Sequence, residues 1–381
     1  MTRPKSTVEN IFLWSPMLSN VGTINAMLGI ANSIKKYSSM QVFLLNIMGE
    51  FSNINNSEFI KLNFILNNSL LPKTGKISKF LIYILSITSF PYLIYCVSKY
   101  KPKILITGLV GFLPCLLKYF FPKLIIVNSI QGLPKFNYLR KIIWKFFYKK
   151  SDYLITMTNK TKKIIMDDIG ISNNKIFKIE NPILNKEIRL KSVEKIHQKD
   201  QIIFEKEVFC SIGRLTYQKN YINLINLFYE FSKKNKFKFN LIIIGEGELK
   251  ERLINIIKAK NMTNVYLLGF QENPYKYLAR SNYYVSSSLW EEPGHTLIEA
   301  GYLNVPILSS DCPNGPDEII LNNYSGVKYK LSNRDDFFDK INKIINLDKK
   351  QKYFLVKNMK KKIKAYSQFR FYKNFKDLFD L

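Results

Sequence analysis

The second half of the chain alternates short apolar runs with helical patterns, and this alternation restricts the possible fold more than any other feature. From Val208 onward the apolar runs are VFCSIG, NLIIIGEG, NVYLLGF, YYVSSS and VPILSS. Helical segments separate them, the longest being NYINLINLFYEFSKK and ELKERLINIIKAK. Fully apolar strands connected by helices form parallel sheets that are covered on both faces. The pattern therefore predicts a doubly wound α/β domain.

The first half repeats this plan less regularly. Its strand candidates are NIFLWS, QVFLLN, KILITG, LIIVNS, YLITMT and NKIFKI. The Asn-rich stretch 53–68 predicts a surface loop, and the polar segment from Glu180 to Gln201, which opens with Asn-Pro, predicts an interdomain linker. We therefore predict two Rossmann-like halves joined near residue 185. Ligands of such sheets bind beyond the carboxyl ends of the strands, so a cleft between the halves is the expected site.

The charge of the chain favours an anionic partner. Its 381 residues carry a formal charge of +29, from 58 Lys and Arg against 29 Asp and Glu. Such a balance suits nucleic acid, an acidic membrane face or a phosphate-bearing substrate, although a general drift towards Ile, Asn, Lys, Tyr and Phe accounts for part of it. The basic residues are dispersed and no nucleic-acid-binding motif occurs, so nucleic acid is not the predicted partner.

Cysteine and histidine usage argues against a zinc site. The four cysteines are scattered without a close pair, and the chain has two histidines. A reduced, cytoplasmic setting fits this usage, and the N-terminus lacks the apolar core of a signal peptide. The segment from Phe80 to Ser98 has no charged residue, but Pro91 lies in its middle. It predicts a pair of hydrophobic helices, buried or dipped into a bilayer surface, rather than a membrane span.

Two cations follow the first strand of the second half, in the sequence SIGRLTYQKN. The strand ends at Gly213, Arg214 follows directly, and Lys219 lies five residues further on. A guanidinium fork and a compact ammonium suit phosphate oxygens and would stabilise a diphosphate leaving group. Taken alone, such a pair fits solvated surface charges better.

The stretch SSLWEEPGHTLIEAG supplies two carboxylates and a helix start. We predict a helix beginning near His295, so that Gly294, His295 and Thr296 offer backbone N–H groups to an anion. Glu291 lies in the preceding loop and Glu299 inside the helix. A glycosidase pair would leave the cations without a role, and metal ligation would need a further carboxylate or histidine nearby. Carboxylates that bind sugar and ribose hydroxyls beside a phosphate clamp fit best.

These segments resemble, in order, the motifs of retaining glycosyltransferases with the GT-B fold. The similarity is to family 4, the "glycosyl transferases group 1", of the bacterial surface-polysaccharide type. It rests on GRLTYQKN, IIIGEGELKERL, VYLLGF, SSSLWEEPGHTLIEAGYLNVPILSSD and GPDEII, and more weakly on SNVGTINAMLGIANSIKK, DYLITMT and IFKIENPI. The resemblance implies an acceptor-binding domain at 1–184 and a nucleotide-sugar-binding domain at 185–365. A C-terminal helix at about 366–381 is expected to pack back on the first domain.

The resemblance also implies roles for individual residues. Arg214 and Lys219 would bind the diphosphate of a nucleotide-sugar in place of a metal ion, so no metal or other cofactor is expected. Glu299 would bind the ribose hydroxyls, and Glu291 the donor sugar near its anomeric carbon. Further donor contacts would come from the backbone of five residues: Gly22, Gly213, Gly294, His295 and Thr296. The implied reaction is front-face transfer of a hexose-type sugar with retention, with a UDP-sugar as the expected donor.

Two departures from the family pattern concern the sugar pocket. Glu292 is a second acid beside Glu291, where relatives have glycine, and it either points to solvent or helps select the donor. Many relatives place a histidine near the reacting sugar, whereas Gln131 lies roughly at that position here. A glutamine donates a hydrogen bond but no proton. His197 is expected at the surface.

The acceptor is expected to be a glycan or a polyprenyl-linked sugar. The basic, aromatic runs LLKYFFPK and RKIIWKFFYKK suit the anionic inner face of the cell membrane, where the protein would bind peripherally. The alternative is that Trp144, Phe146 and Phe147 belong to the core side of one amphipathic helix. A non-enzymatic basic protein that binds nucleic acid or glycan on a GT-B scaffold is the alternative function.

Overall fold

The computed structural model describes residues 9–18, 22–52, 54, 59–64, 75–134 and 136–379. The strands are β1 (Asn10–Trp14), β2 (Gln41–Asn46), β3 (Ile60–Asn63), β4 (Ile104–Thr107), β5 (Ile125–Ile130), β6 (Tyr153–Thr156), β7 (Ile176–Lys178), β8 (Glu207–Ile212), β9 (Phe239–Ile244), β10 (Val265–Gly269), β11 (Tyr283–Ser286), β12 (Ile307–Ser310) and β13 (Val327–Tyr329).

The α-helices are α1 (Gly22–Tyr37), α2 (Gly75–Thr88), α3 (Phe90–Tyr100), α4 (Tyr138–Tyr148), α5 (Asn159–Ile164), α6 (Lys186–Ser192), α7 (Tyr221–Lys234), α8 (Lys250–Ala259), α9 (Tyr275–Leu278), α10 (His295–Tyr302), α11 (Gly315–Ile319), α12 (Arg334–Ile345), α13 (Lys349–Ile363) and α14 (Gln368–Lys376). A π-helical segment continues α5, and 3-10 turns lie at Leu113–Tyr119, Asn173–Lys175, Gln198–Glu205, Tyr217–Lys219 and Lys364–Tyr366.

The chain forms two compact units. The first runs to Ile183 and includes the returning segment from Gln368, and the second runs from Leu184 to Ser367. In the first unit the described strands form a parallel sheet in the order β3-β2-β1-β4-β5-β6-β7. Alternate side chains of β1 point to opposite faces: Phe12 and Trp14 pack with α2, α3 and α4, and Ile11 and Leu13 pack with α1 and α14.

The second unit has a parallel sheet in the order β10-β9-β8-β11-β12-β13. Strands β8, β9 and β12 are buried almost throughout, as their continuous apolar sequences predict. Helices α7, α8 and α12 contribute to one apolar cluster with β8, β9 and β13. Both units thus have a parallel sheet with helices packed against it, which confirms the predicted α/β class.

The segment that was predicted as a linker is partly helical. Within 180–201 the structure has α6, capped by Asn185, and the start of the turn Gln198–Glu205. The side chain of Asn185 accepts a hydrogen bond from the backbone N–H of Ile188 at 3.2 Å. The segment was interpreted as a linker because it is polar. It is polar because most residues of this short helix face solvent.

The predicted Asn-rich loop contains an edge strand. Residues 60–63 form β3, which pairs with β2, while much of the rest of 53–68 lies outside the described residues. Alternation in β3 is weak because only Leu62 is buried, as is common at a sheet edge. In the second sheet, strand β13 pairs with β12 and forms the edge opposite β10. This strand was also not predicted.

The uncharged segment 80–98 forms the predicted helix pair, α2 and α3. Among the described residues, no single helix has the length and apolar character to cross a membrane. Phe80–Thr88 and Phe90–Tyr100 meet those criteria only together, as a pair bent by 46°. The four cysteines are free and buried.

Candidate active site

A lysine and a glutamate from two different loops meet at the carboxyl edge of the second sheet. Strand β8 ends beside Gly213, and the turn Tyr217–Lys219 brings the lysine back over the strand end. A Cβ atom at Gly213 would lie 2.9 Å from Cε of Lys219, so the glycine leaves the path of this side chain open. The lysine Nζ reaches Oε1 of Glu291 at 2.5 Å. The structure therefore pairs two residues that are 72 positions apart.

Glu291 is held in a buried position by neighbouring hydroxyls. Its exposure is 6%. The hydroxyl of Ser288 donates to Oε1 of Glu291 at 2.5 Å, and the hydroxyl of Ser310 donates to the carbonyl oxygen of Ser288 at 2.7 Å. A buried carboxylate without a cation would be strongly destabilising, so Lys219 and Glu291 depend on each other.

The helix after Glu291 begins where it was predicted. Helix α10 starts at His295, and Gly294 caps it with φ 96°, a left-handed conformation that favours glycine. The first N–H groups of a helix have no acceptor within the helix, so this tip suits an anion. The hydroxyl of Tyr284, in strand β11, donates to the hydroxyl oxygen of Thr296 in α10 at 2.6 Å. A Cβ atom at Gly315 would lie 1.8 Å from the carbonyl oxygen of Pro293, so the loop packs tightly on α11.

Glu299 lies one turn inside α10 and accepts a hydrogen bond from the hydroxyl of Tyr275 at 3.0 Å. Burial raises the pKa of the Glu299 carboxyl to about 7, although the bond from Tyr275 and the charge of Lys219 pull in the opposite direction. Burial also lowers the pKa of His295 to about 4, although nearby Glu291 favours the charged form. The imidazole is therefore neutral at pH 7.

The predicted site residues divide between the two units. The second unit brings Gly213, Lys219, Glu291 and α10 together, and Arg214 follows Gly213 with an exposed side chain. Glu292 is partly buried in the loop.

Two predicted site residues, Gly22 and Gln131, belong to the first unit. Gly22 begins α1, and residues 19–21 before it lie outside the described residues. Gln131 exchanges side-chain hydrogen bonds with Asn181, at 2.9 and 3.3 Å.

Sequence reasoning missed the residues that hold the carboxylates. Ser288 and Tyr275 contact Glu291 and Glu299 directly, but Ser288 looks like the end of a strand and Tyr275 like the start of a short polar helix. The run Ser286–Ser288 at a strand end was the available signal. In the part of the chain that the structure describes, no group of three or more His, Cys, Asp or Glu side chains is close enough to hold a metal ion.

Residues 192–378 match the family of glycosyl transferases group 1. The matched range contains the Lys219–Glu291 pair and helix α10, so the candidate site lies entirely within the group 1 region.

Two curated relatives are similar in sequence to part of this chain. An uncharacterised glycosyltransferase of Methanocaldococcus jannaschii is 41% identical over 197 residues, 51% of this chain and 48% of that protein. The N-acetylgalactosamine-N,N'-diacetylbacillosaminyl-diphospho-undecaprenol 4-alpha-N-acetylgalactosaminyltransferase of Campylobacter jejuni is 29% identical over 221 residues, 58% of each chain. The chain thus spans about half the length of the curated relatives it matches.

A solved structure matches over nearly the whole chain. The HepE protein of Anabaena, crystallised in complex with UDP, has a TM-score of 0.77 and 13% identity, covering 98% of this chain and 100% of that one. At this identity the likeness concerns the fold alone. The α/β architecture is that of the GT-B glycosyltransferases, as the group 1 motifs predicted.

Proposed function

We propose that the protein transfers a hexose-type sugar from a nucleotide diphosphate sugar to a glycan or lipid-linked acceptor, with retention and without a metal ion. The observation that carries the proposal is the grouping at the carboxyl edge of the second sheet. A lysine, two glutamates and a helix tip lie together there, and Gly213 leaves room beside them. This grouping offers cations and N–H groups to a diphosphate and carboxylates to hydroxyls.

The role of the cations is to stabilise the leaving diphosphate. Negative charge develops on it as its bond to the anomeric carbon breaks, and Lys219, Arg214 and the tip of α10 stabilise that charge electrostatically. The acceptor oxygen forms its bond to the same face of the anomeric carbon. The acceptor proton passes to the departing diphosphate oxygen.

The carboxylates would bind the neutral parts of the donor. Glu299, already hydrogen-bonded to Tyr275, accepts from the ribose hydroxyls, and Glu291 accepts from the donor sugar. Since Lys219 pairs with Glu291 before any donor binds, the diphosphate and the sugar meet an ion pair whose charges are already in place. Contacts from Gly22 and Gln131 in the first unit rest on the family resemblance.

The identities of donor and acceptor are supported by the matched proteins. The Anabaena protein binds UDP, and the Campylobacter enzyme acts on a sugar linked to diphospho-undecaprenol. We therefore propose a UDP-sugar as the donor and a polyprenyl-linked glycan as the first acceptor to test. The glycan extended in this way would be a precursor of a cell-surface polysaccharide, and the transfer would take place on the cytoplasmic side of the membrane.

The deciding experiment is calorimetric titration of the whole protein with UDP, GDP and ADP. We expect UDP to bind at pH 8, where the Glu299 carboxyl is ionised, and Glu299→Gln to weaken this binding at least tenfold, as loss of a charged hydrogen-bond acceptor does. Glu251→Gln, the same chemical change at an exposed position on α8, is the matched control and should bind UDP normally. Absence of binding by any nucleoside diphosphate, with binding of duplex DNA instead, would favour the alternative of a basic binding protein.

Transfer itself is then measured with UDP-sugars and polyprenyl-diphosphate-linked sugars. Nuclear magnetic resonance of the product gives the anomeric configuration, and retention is expected. Activity in EDTA should equal activity without it. An inverted product, or loss of transfer in EDTA that Mg²⁺ restores, would contradict the proposed mechanism.

A further inference from the structure

A long stretch of the first unit contains no acidic residue. Between Glu58 and Asp152 the chain has fifteen Lys and Arg and not one Asp or Glu. The stretch includes helices α2, α3 and α4 and the turn Leu113–Tyr119. A uniform compositional drift does not explain it, because 26 of the 29 Asp and Glu of the chain lie from Asp152 onward. The stretch therefore carries a concentrated positive potential.

The same stretch exposes large apolar side chains along one face of α2. Ile77, Phe80, Ile84 and Ile87 recur at helical spacing, and Phe80 is 65% exposed. Helix α4 repeats this arrangement with Leu139, Ile142 and Phe146, of which Leu139 is 64% exposed. Trp144 and Phe147 point the other way and pack on the core. The predicted core side of this helix is thus confirmed for Trp144 and Phe147 but not for Phe146, which is exposed.

Ring contacts connect α2, the turn and α4 into one surface. Tyr83 of α2 lies 6.2 Å from Phe112, and Phe112 lies 5.5 Å from Phe147 of α4, between ring centroids. Lys150 lies over the rings of Tyr119 and Phe146, at 4.5 and 5.3 Å. We name this surface the α2–α4 face; it consists of Ile77, Phe80, Tyr83, Ile84, Ile87, Tyr119, Phe120, Leu139, Ile142 and Phe146.

Lysines lie along the same side as these apolar residues. Lys145 and Lys149 are exposed and lie within one turn of Ile142 and Phe146 on α4. Neither forms an ion pair with a described residue, whereas Lys141 pairs with Asp168 beside them. Long lysine side chains can cover apolar surface while their ammonium groups reach outward. The α2–α4 face thus combines exposed apolar side chains with positive charges that point outward.

We propose that the α2–α4 face docks the protein on a lipid bilayer that contains anionic headgroups. The exposed isoleucines and phenylalanines enter the boundary between headgroups and acyl chains, and the lysines bind the acidic headgroups around them. This inference deepens the proposed function by naming the surface that meets the membrane of a lipid-linked acceptor.

Other occupants fit this face less well. A second copy would bring two surfaces with an excess of lysine together, and like charges oppose that contact. Nucleic acid would satisfy the lysines but offers no apolar partner for Ile77, Ile84 and Leu139. A bilayer satisfies both kinds of side chain.

The test measures co-sedimentation of the whole protein with vesicles of phosphatidylcholine, alone or with about one-third phosphatidylglycerol, at low and high salt. Ile142→Glu/Phe146→Glu should weaken binding to the anionic vesicles at least tenfold. Ile202→Glu/Phe369→Glu is the matched control: it adds the same charge at residues that are 61% and 55% exposed and lie outside the face. It should bind within twofold of the wild type.

A second variant keeps the test independent of any misfolding. Lys145→Ser/Lys149→Ser leaves the apolar residues intact and should weaken binding to anionic vesicles about tenfold, with little effect on phosphatidylcholine vesicles. Equal losses in the face variant and its control, or wild-type binding that ignores the anionic lipid, would overturn the proposal. So would a face variant that dissociates an oligomer, or abolishes duplex DNA binding, while vesicle binding is unchanged.

UDP titration of the same samples separates this proposal from the proposed function. Face variants should bind UDP as the wild type does. If vesicles do not bind while UDP binding depends on Glu299, only the docking face is wrong. If vesicles bind as described while no nucleoside diphosphate binds, docking holds and sugar transfer is wrong.

Discussion

The carboxyl edges of the two sheets differ in chemistry although their topology is similar. The edge of the second sheet has ionisable side chains: Lys219, Glu291 and the pair His295 and Glu299 on α10. Strands β1, β4, β5 and β6 of the first sheet end in hydroxyls and amides, which include Ser15, Thr107, Asn128, Ser129, Gln131 and Thr156. The carboxylate that follows β2, Glu50, accepts from the backbone N–H groups of Ile47 and Met48. A charged edge can stabilise a developing diphosphate, whereas a neutral edge can only exchange hydrogen bonds.

The neutral edge, that of the first sheet, also contains buried polar groups without a hydrogen-bond partner in the described part of the chain. Among the described residues, Nε1 of Trp14 and the hydroxyls of Ser15 and Thr156 are buried without a hydrogen-bond partner. Asn128 bonds Ser151 at 2.5 Å and contacts Thr107. Such groups could accept or donate to hydroxyls of a sugar, but they carry no charge that a sequence motif would display. The difference teaches that charged groups at strand ends can be recognised in this sequence, whereas neutral hydroxyls and amides at strand ends cannot.

Removing the cation should have the largest effect at the charged edge. We expect Lys219→Met to lower the rate of sugar transfer at least 100-fold, because the diphosphate loses a stabilising charge. It should also cost about 3 kcal/mol in the free energy of unfolding, because Glu291 stays buried without its partner. Urea unfolding and initial-rate assays measure the two losses.

A double variant separates these two effects. Lys219→Met/Glu291→Gln should regain most of the stability but none of the transfer, because the buried charge is gone. Lys328→Met is the control within the same unit: its partner Asp317 is exposed, so the change should cost less than about 1 kcal/mol. If the double variant unfolds as easily as the single one, the buried ion pair is not the cause.

Periodicity and local chemistry predicted most of the second unit. Strands β8 to β12, helices α7, α8 and α10 and the meeting of glycine, lysine and glutamate at one edge follow from apolar runs, strand ends and a helix start. These are local signals, and the rule that parallel strands end at one edge assembles them. The central strands of the first unit were predicted in the same way.

The remaining features depend on contacts between distant parts of the chain. Nothing in the sequence around Tyr275 predicts its bond to Glu299, 24 residues away, and nothing around Gln131 predicts Asn181. Strand β3 was missed because an edge strand needs only one buried side chain, and α6 because a short exposed helix is as polar as a loop. Tertiary position decides these cases.

The charged edge should also make stability depend on pH, with an intermediate effect. The pKa of Glu299 is about 7 in the folded protein and near 4.5 when unfolded, so the folded state holds the proton more tightly. Stability is therefore lost as pH rises between these values, and Glu299→Gln should remove that loss. We expect the variant to be about 3 kcal/mol more stable than the wild type at pH 8 and equal to it at pH 4. Urea unfolding at both pH values measures this.

The control for this prediction is again Glu251→Gln, which should show no difference between the two pH values because its carboxyl is exposed. A gain for Glu299→Gln of the same size at pH 4 and pH 8 would mean that the charge of Glu299 is not the cause. Greater stability with weaker UDP binding would mark Glu299 as a residue kept for function at a cost in stability.

The neutral edge should give the smallest effect and no dependence on pH. Gln131→Ala leaves the buried amide of Asn181 without its partner, and we expect a loss of about 1 kcal/mol in the free energy of unfolding. Asn181→Ala and the double variant complete a cycle whose coupling energy reports the bond between the two amides. Transfer should slow through a poorer KM for the acceptor or a lower kcat, while calorimetric affinity for UDP stays unchanged. If Gln131→Ala weakens UDP binding as Glu299→Gln is expected to, the neutral edge also contributes to donor binding, and the division of labour between the two edges is wrong.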